Sequence, residues 1–138
     1  MNTGKLFLFL FLFSAFVFMI GCDDDETNTI GPQFEPEISN IVDYFQFQAT
    51  GLTNVSQTLT YTWNNTGVSA NINQSCSMTG GSAALTIKDA DGTVVFSSDL
   101  TENGTLVTSD GTAGNWTITV VLTNVDGTLN FRAEKRTP

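Results

Sequence analysis

Histidine is missing from this chain of 138 residues. Without an imidazole, the chain cannot build a Ser-His-Asp or Cys-His catalytic group or a metal site with histidine ligands. A nucleophile at Cys76 would have no histidine to act as its base. These absences predict a protein that is not an enzyme and that holds no cofactor.

Basic residues are also few, because only five Lys and Arg stand against 14 Asp and Glu, for a formal net charge of −9. Loss of residues 1–21 would remove Lys5 and no acid, which would leave a charge of −10. An acidic chain of this kind repels phosphate backbones and anionic headgroups. Nucleic acid is therefore excluded as a partner.

The longest apolar run extends from Leu6 to Ile20, directly after Lys5. A positive residue followed by a short run rich in Phe and Leu is typical of a signal peptide. A membrane-spanning helix needs about 20 apolar residues, whereas four acids follow this run at positions 23–26. The pattern predicts a signal helix over residues 1–21 rather than a permanent span.

The run ends in Met19-Ile20-Gly21-Cys22, which resembles the lipobox of bacterial lipoproteins. The resemblance implies cleavage between Gly21 and Cys22, a diacylglyceryl group on the Cys22 thiol, and acylation of the new amino terminus by a chain such as palmitate. Several acyl chains on one residue would give lasting membrane attachment. The alternative is an ordinary secretory signal in which Cys22 has no special role.

Cys76 is the other cysteine of the chain. Lipidation of Cys22 would leave it without an intramolecular partner, so the domain cannot depend on a disulfide. Its position in the alternation of Val68, Ala70, Ile72 and Met78 predicts a buried, inert side chain.

Residues 22–40 are rich in acids, Thr and Asn and contain Pro32 and Pro36. Their apolar positions are too scattered to bury a face, so they are predicted to form a disordered acidic tether. Acids directly after a lipidated cysteine resemble an export signal to the cell surface in some bacteria. Asp in the same place resembles a retention signal for the inner membrane in others, and a solvated spacer with no targeting role is the further alternative. The expected location is the outer membrane or cell surface, with the periplasmic face of the inner membrane as the alternative.

From residue 41 to 138 apolar and polar residues alternate with a period of two, which predicts β-strands. Phe45, Phe47 and Ala49 share one parity, as do Leu59, Tyr61 and Trp63. The same pattern recurs at Leu85 and Ile87, Val94 and Phe96, Trp116, Ile118, Val120 and Leu122, and Leu129, Phe131 and Ala133. Seven or eight strands are expected, each with one apolar face.

Four dipeptides that favour tight turns separate these runs: Asp91-Gly92, Asn103-Gly104, Asp110-Gly111 and Asp126-Gly127. Such turns connect antiparallel neighbours. Many short antiparallel strands with one apolar face each predict a single β-sandwich of immunoglobulin-like or jelly-roll type, with two sheets packed face to face.

Three further segments are Gly81-Ser82-Ala83-Ala84-Leu85-Thr86-Ile87, Asp89-Ala90-Asp91-Gly92 and Gly114-Asn115-Trp116-Thr117-Ile118-Thr119-Val120. Together they resemble the pre-peptidase C-terminal domain, a secreted accessory β-sandwich of bacterial peptidases. The resemblance implies the same fold, and no functional residue is carried over from it.

Asp89 and Asp91 are the candidates for a Ca²⁺ site, since hard cations prefer carboxylate oxygen. An EF-hand loop needs its glycine at position six, whereas Gly92 comes at position four, where a two-residue turn requires it. A plain hairpin is favoured, and no metal site is predicted.

Tyr61, Trp63 and Trp116 could stack on sugar rings if they were exposed, but their parity places them in the core. The leading hypothesis is thus a lipid-anchored, non-catalytic module with a structural, adhesive or interaction role, for which a protein or glycan partner would be required. The alternative is a carbohydrate- or Ca²⁺-binding accessory module at the cell surface.

Overall fold

A computed structural model describes residues 27–138, and these residues form an all-β fold with no helix. Seven strands follow one another: β1 (Glu37–Ile41), β2 (Tyr44–Asn65), β3 (Ala70–Gln74), β4 (Ser77–Lys88), β5 (Val94–Asp99), β6 (Gly104–Val107) and β7 (Gly114–Lys135). All their pairings are antiparallel, which confirms the predicted fold class. The signal helix, Gly21 and Cys22 lie outside the described residues.

Two long strands, β2 and β7, form the centre of the sheet and pair with each other along most of their 22 residues. The N-terminal half of β2 also pairs with β1, and the C-terminal half of β7 pairs with β3, which in turn pairs with β6. The N-terminal half of β7 pairs with β4, which carries β5 on its other edge. All seven strands thus belong to one hydrogen-bonded sheet.

This single sheet folds over on itself. Asp43, just before β2, donates its backbone N–H to the carbonyl of Asn64 near the end of β2, at 2.9 Å. Phe45 and Tyr61, 16 positions apart on β2, have ring centroids separated by 5.4 Å. We call the first layer β1, the N-terminal half of β2, the C-terminal half of β7, β3 and β6, and the second layer the remaining strand segments. The two layers are therefore halves of one bent sheet rather than the two separate sheets predicted from the sequence.

The sheet bends where the β2–β7 register is irregular, between Ala49 and Gln57 of β2. Glycines allow neighbouring backbones to approach closely there. A Cβ atom on Gly81 of β4 would lie 2.1 Å from the carbonyl oxygen of Asn124, and one on Gly127 of β7 would lie 2.3 Å from that of Ser77. Asp126-Gly127 is therefore part of this bend within β7, and the prediction of a tight hairpin at that dipeptide is wrong. We call this region the bend end, and the opposite end, where Asp43 meets Asn64, the far end.

The core lies between the two layers and contains the side chains that the alternation predicts. Both tryptophans are fully buried, as are three phenylalanines. Other large side chains that are fully buried include Ile72, Leu85, Ile87, Leu100, Ile118, Leu129 and Val55. Burial of this much aliphatic and aromatic surface is the main force that stabilises the fold.

Two apolar side chains do not follow the predicted parity. Val94 is 51% exposed and its neighbour Val95 is buried, because the β4–β5 register skips between Ile87 and Lys88. Such a bulge adds one residue to a strand and reverses the parity beyond it. Val68 is 54% exposed because it precedes β3 in a loop.

The folded domain begins earlier than predicted, so the tether does not extend to residue 40. Glu37–Ile41 forms β1, an edge strand with every side chain exposed, and an alternation signal cannot detect a strand that buries no face. Asn28 donates its N–H to the carbonyl of Asn54 and accepts from Ser56 at 2.9 Å in both cases, and Phe34 packs against the core. The N-terminal segment is thus attached at the bend end from Asn28 onward.

Candidate functional site

The outward face of the first layer presents a row of polar side chains that crosses all five strands. Cross-strand partners point to the same side of a sheet, and the register pairs Ser39 with Gln46, Gln46 with Arg132, Arg132 with Asn73, and Asn73 with Thr105. Gln48 and Asn130 pair beside this row, as do Asn71 and Glu134. We call this surface the carboxamide face; it consists of Gln46, Gln48, Asn71, Asn73, Asn130 and Arg132.

Two shallow depressions adjoin each other on the carboxamide face. One, of about 210 Å³, is lined by Gln46, Asn73, Ser75, Asn130 and Arg132. The other, of about 230 Å³, is lined by Glu37, Ile38, Ser39, Gln46 and Gln48. Both are lined by Gln46, so the two depressions lie side by side between β1 and β3.

Local contacts orient several side chains of this face. The hydroxyl of Tyr44 donates to Oε1 of Gln46 at 2.6 Å, which directs the amide nitrogen of Gln46 away from the ring. Thr105 Oγ1 donates to Asn73 Oδ1 at 2.7 Å, which directs the amide nitrogen of Asn73 away from Thr105. Arg132 Nε lies 3.7 Å from a carboxylate oxygen of Glu134, so its positive charge is partly balanced.

The outward face of the second layer has different chemistry. Its register pairs Thr60 with Thr119, Thr119 with Thr86, and Thr86 with Ser97, which gives a row of hydroxyl groups. Thr is a good strand former. We call this surface the threonine face; it consists of Thr60, Thr86, Ser97 and Thr119. Its composition is typical of the solvated side of an antiparallel sheet and does not indicate a binding site.

A larger cavity of about 520 Å³ lies at the far end, lined by Gly67, Val68, Ser69, Asp110, Lys135, Arg136 and Pro138. Beside it, Lys135 Nζ lies 3.2 Å from a carboxylate oxygen of Asp43 and 2.8 Å from Oγ1 of Thr66. The backbone N–H of Thr66, with the side chains of Thr66 and Lys135, holds the pKa of Asp43 below its usual value. The cluster ties the start of β2 to the end of β7.

Asp89 and Asp91 lie in the same loop, but their oxygens are used by the protein itself. Oδ1 of Asp89 accepts from the N–H groups of Asp91 and Thr93 at 3.0 and 2.8 Å, and Oδ2 accepts from the N–H of Thr112 at 2.9 Å. These hydrogen bonds lower the pKa of Asp89, and the one from the N–H of Thr112 has the largest effect. Asp91 accepts from the Thr112 hydroxyl at 2.6 Å. Across residues 27–138, no three Asp, Glu or Cys side chains come together to hold a metal ion.

The aromatic residues considered for sugar stacking do not form an exposed platform. Trp63 and Trp116 are both 0% exposed, and Tyr61 packs against Phe45 and Phe47. The predicted place in the core is confirmed for both tryptophans, on which a glycan could not stack. Tyr61 is partly buried and packs against the core.

Cys76 is buried, as its parity predicts. Its sulfur accepts from the N–H of Asn130 at 3.3 Å and donates to the carbonyl of the same residue at 3.4 Å. Burial raises the pKa of the thiol, which keeps it protonated and unreactive.

Sequence reasoning did not find the carboxamide face. A local signal was present in Gln46-Phe47-Gln48, Asn71-Ile72-Asn73 and Asn130-Phe131-Arg132, three segments with polar residues on either side of a buried one. Their assembly depends on β2 and β3 both pairing with β7, and no local pattern specifies those partners.

No protein-family model matches the chain, and the search of curated proteins finds no match. Among solved structures, one match is a structure of infectious bursal disease virus, Gt strain, at 15% identity and a TM-score of 0.32. The aligned region covers 72% of this chain and 30% of the viral chain, so the present chain spans less than a third of that protein.

Proposed function

We propose that this chain is a bacterial lipoprotein whose β-sandwich domain is held outside the cytoplasm by acyl chains on Cys22. Its role is structural, adhesive or interactive, and it performs no catalysis. The observation that carries this proposal is the junction at Gly21 and Cys22, which follows a short apolar run and precedes four acids. The membrane is the outer membrane or cell surface, with the periplasmic face of the inner membrane as the alternative.

The attachment of the N-terminal segment supports a defined orientation on that membrane. Only five residues separate Cys22 from Asn28, which is hydrogen-bonded to the bend end through Asn54 and Ser56. A chain of that length spans at most about 20 Å. The bend end would therefore face the membrane, and the far end would point away from it.

The domain itself offers no second route into a bilayer through a helix. Within residues 27–138, the structure contains no helix long and apolar enough to cross a membrane. Under this proposal, attachment depends on the acyl chains, since the acidic chain would be repelled by anionic headgroups.

The anchor is tested by mass spectrometry of the N-terminal peptide after the full chain is produced in a lipoprotein-processing bacterium. We expect a mature chain that begins at Cys22, carries diacylglyceryl and acyl mass, and sediments with membranes. Cys22→Ser should abolish the modification, whereas the matched control Cys76→Ser should leave it intact. A mature chain that starts at Cys22 without acyl mass would contradict the proposal.

A further inference from the structure

The carboxamide face contains residues that weaken the strands that carry them. Asn is depleted in β-strands because it packs poorly on a pleated surface and its side chain competes for backbone hydrogen bonds. Nevertheless Asn71, Asn73 and Asn130 lie within β3 and β7, whereas the central outward positions of the second layer carry Thr and its outward Asn pair, Asn64 and Asn115, lies at the end of β2 and the start of β7. Residues that oppose the local preference of their strand are expected at functional surfaces.

The chemistry of this face fits a ligand that both donates and accepts hydrogen bonds. Each carboxamide offers one acceptor oxygen and two N–H donors, and the guanidinium of Arg132 offers further donors in a plane. A sugar hydroxyl is likewise donor and acceptor at one atom. The half-buried ring of Tyr44, which contacts Gln46 through its hydroxyl, adds an amphipathic aromatic group next to Gln46.

From these observations, we propose that the carboxamide face binds a neutral polysaccharide chain across the five strands of the first layer. The row from Ser39 to Thr105 crosses five strands spaced about 4.8 Å apart, so it is about 19 Å long. That length accommodates several sugar rings in contact with Gln46, Arg132 and Asn73. The proposal does not depend on lipidation of Cys22.

Charge and polarity distinguish this ligand from others. Arg132 is close to Glu134 and the whole chain is strongly acidic, so an anionic polysaccharide would be repelled. Protein interfaces are centred on apolar and aromatic anchors in a desolvated core. The central row holds Ser, Gln, Arg, Asn and Thr instead, and the exposed apolar residues of the neighbouring row, Ile41 and Val107, lie at its two ends. A polar centre of this kind favours a polyhydroxylated ligand over a protein partner.

The experiment is co-sedimentation of the full chain, purified in detergent, with cellulose, chitin, mannan and starch granules. The test variant combines Gln46→Thr, Asn73→Thr and Arg132→Thr. The matched control combines Thr60→Val and Thr119→Val on the threonine face. We expect at least one of the four polysaccharides to retain the native chain. The test variant should bind that polysaccharide at least about tenfold more weakly, and the control should bind it as the native chain does.

A thermal melt separates lost binding from lost folding. Thr is a better strand former than Asn, which offsets the loss of the side-chain contacts of Gln46, Asn73 and Arg132, so the test variant should melt near the temperature of the native chain. If the triple variant does not fold, the single variant Gln46→Thr takes its place. If none of the four polysaccharides retains the native chain, the proposal is overturned. Equal retention of the test variant, or loss of binding in the control, would overturn it as well.

Discussion

Trp63 and Trp116 lie directly opposite each other on β2 and β7, with ring centroids 5.8 Å apart and ring planes at 84°. Edge-to-face pairs of this kind are favourable for aromatic rings. The two indole nitrogens differ, because Nε1 of Trp116 donates to the carbonyl of Thr112 at 2.8 Å, whereas Nε1 of Trp63 is buried without an acceptor in the described part of the chain. Two residues of equal size in one contact thus differ in a single hydrogen bond.

This difference predicts unequal effects of the same substitution. Trp116→Phe should lower the free energy of unfolding more than Trp63→Phe, by about 1 kcal/mol, because only the first removes a hydrogen bond. Both variants remove the same volume from one contact, so each serves as the other's control for the cavity. Urea denaturation measures both free energies. Equal losses, or a greater loss for Trp63→Phe, would contradict the assignment.

The close approach at the bend predicts that Gly81 cannot be replaced. Gly81 has φ +76° and a Cβ atom would clash with the backbone of Asn124, whereas Gly92 has φ +84° and open space around it. Both positions would incur the penalty of a left-handed alanine, roughly 1–2 kcal/mol. Gly81→Ala should destabilise the domain by roughly 3–5 kcal/mol, and Gly92→Ala by the smaller penalty alone. Thermal melts of both variants test this, and similar losses would show that the bend tolerates a Cβ.

Acid should destabilise the domain through three aspartates at the ends of strands. The pKa values of Asp43, Asp89 and Asp99 are all lowered, chiefly by backbone N–H groups of Thr66, Thr112 and Thr101 respectively. A carboxyl group whose pKa is lower in the folded state stabilises the fold above its unfolded pKa, about 4, and that contribution is lost as the pH falls through the folded pKa. The free energy of unfolding should therefore hold from pH 7 to about 5 and decline below 4.

Urea denaturation between pH 7 and pH 2.5 measures this dependence, and Asp89→Asn should make the decline below pH 4 smaller. Since the main partners are backbone N–H groups in direct contact, about 0.5 M salt should leave the decline largely unchanged. A decline that disappeared in salt would point to long-range charge instead.

The parity of apolar residues was sufficient to predict the strand content and the core. Phe45, Phe47 and Trp63 are buried as their alternation requires, because a half-buried strand must place alternate side chains on opposite faces. Parity could not show that the segments around Phe45 and Trp63 belong to one strand. Gly51 and Asn54 have positive φ and are typical of a loop, but here they form a bend that continues the pairing with β7.

The candidate site was not predictable for a related reason. Gln46 and Asn73 are brought onto one face because both pair with Arg132 of β7, which is more than 55 residues away from either along the chain. Such pairing is decided by the packing of the whole sheet rather than by local preference. Conversely, the role of Asp89 in holding its loop could be expected from Asp89-Ala90-Asp91-Gly92, since Asp side chains commonly accept N–H groups two residues on.

The orientation on the membrane gives the final prediction, which depends on the proposed anchor. The first layer is about 20–25 Å long from Asp43 to the bend, at about 3.3 Å per residue. A fluorophore on Thr53→Cys at the bend end should therefore be quenched by nitroxide lipids more strongly than one on Val42→Cys at the far end, where Val42 is 60% exposed. Both variants are made in a Cys76→Ser background and measured on the acylated chain in vesicles. Equal quenching would contradict the orientation, whereas failure of the chain to bind vesicles would contradict the anchor itself.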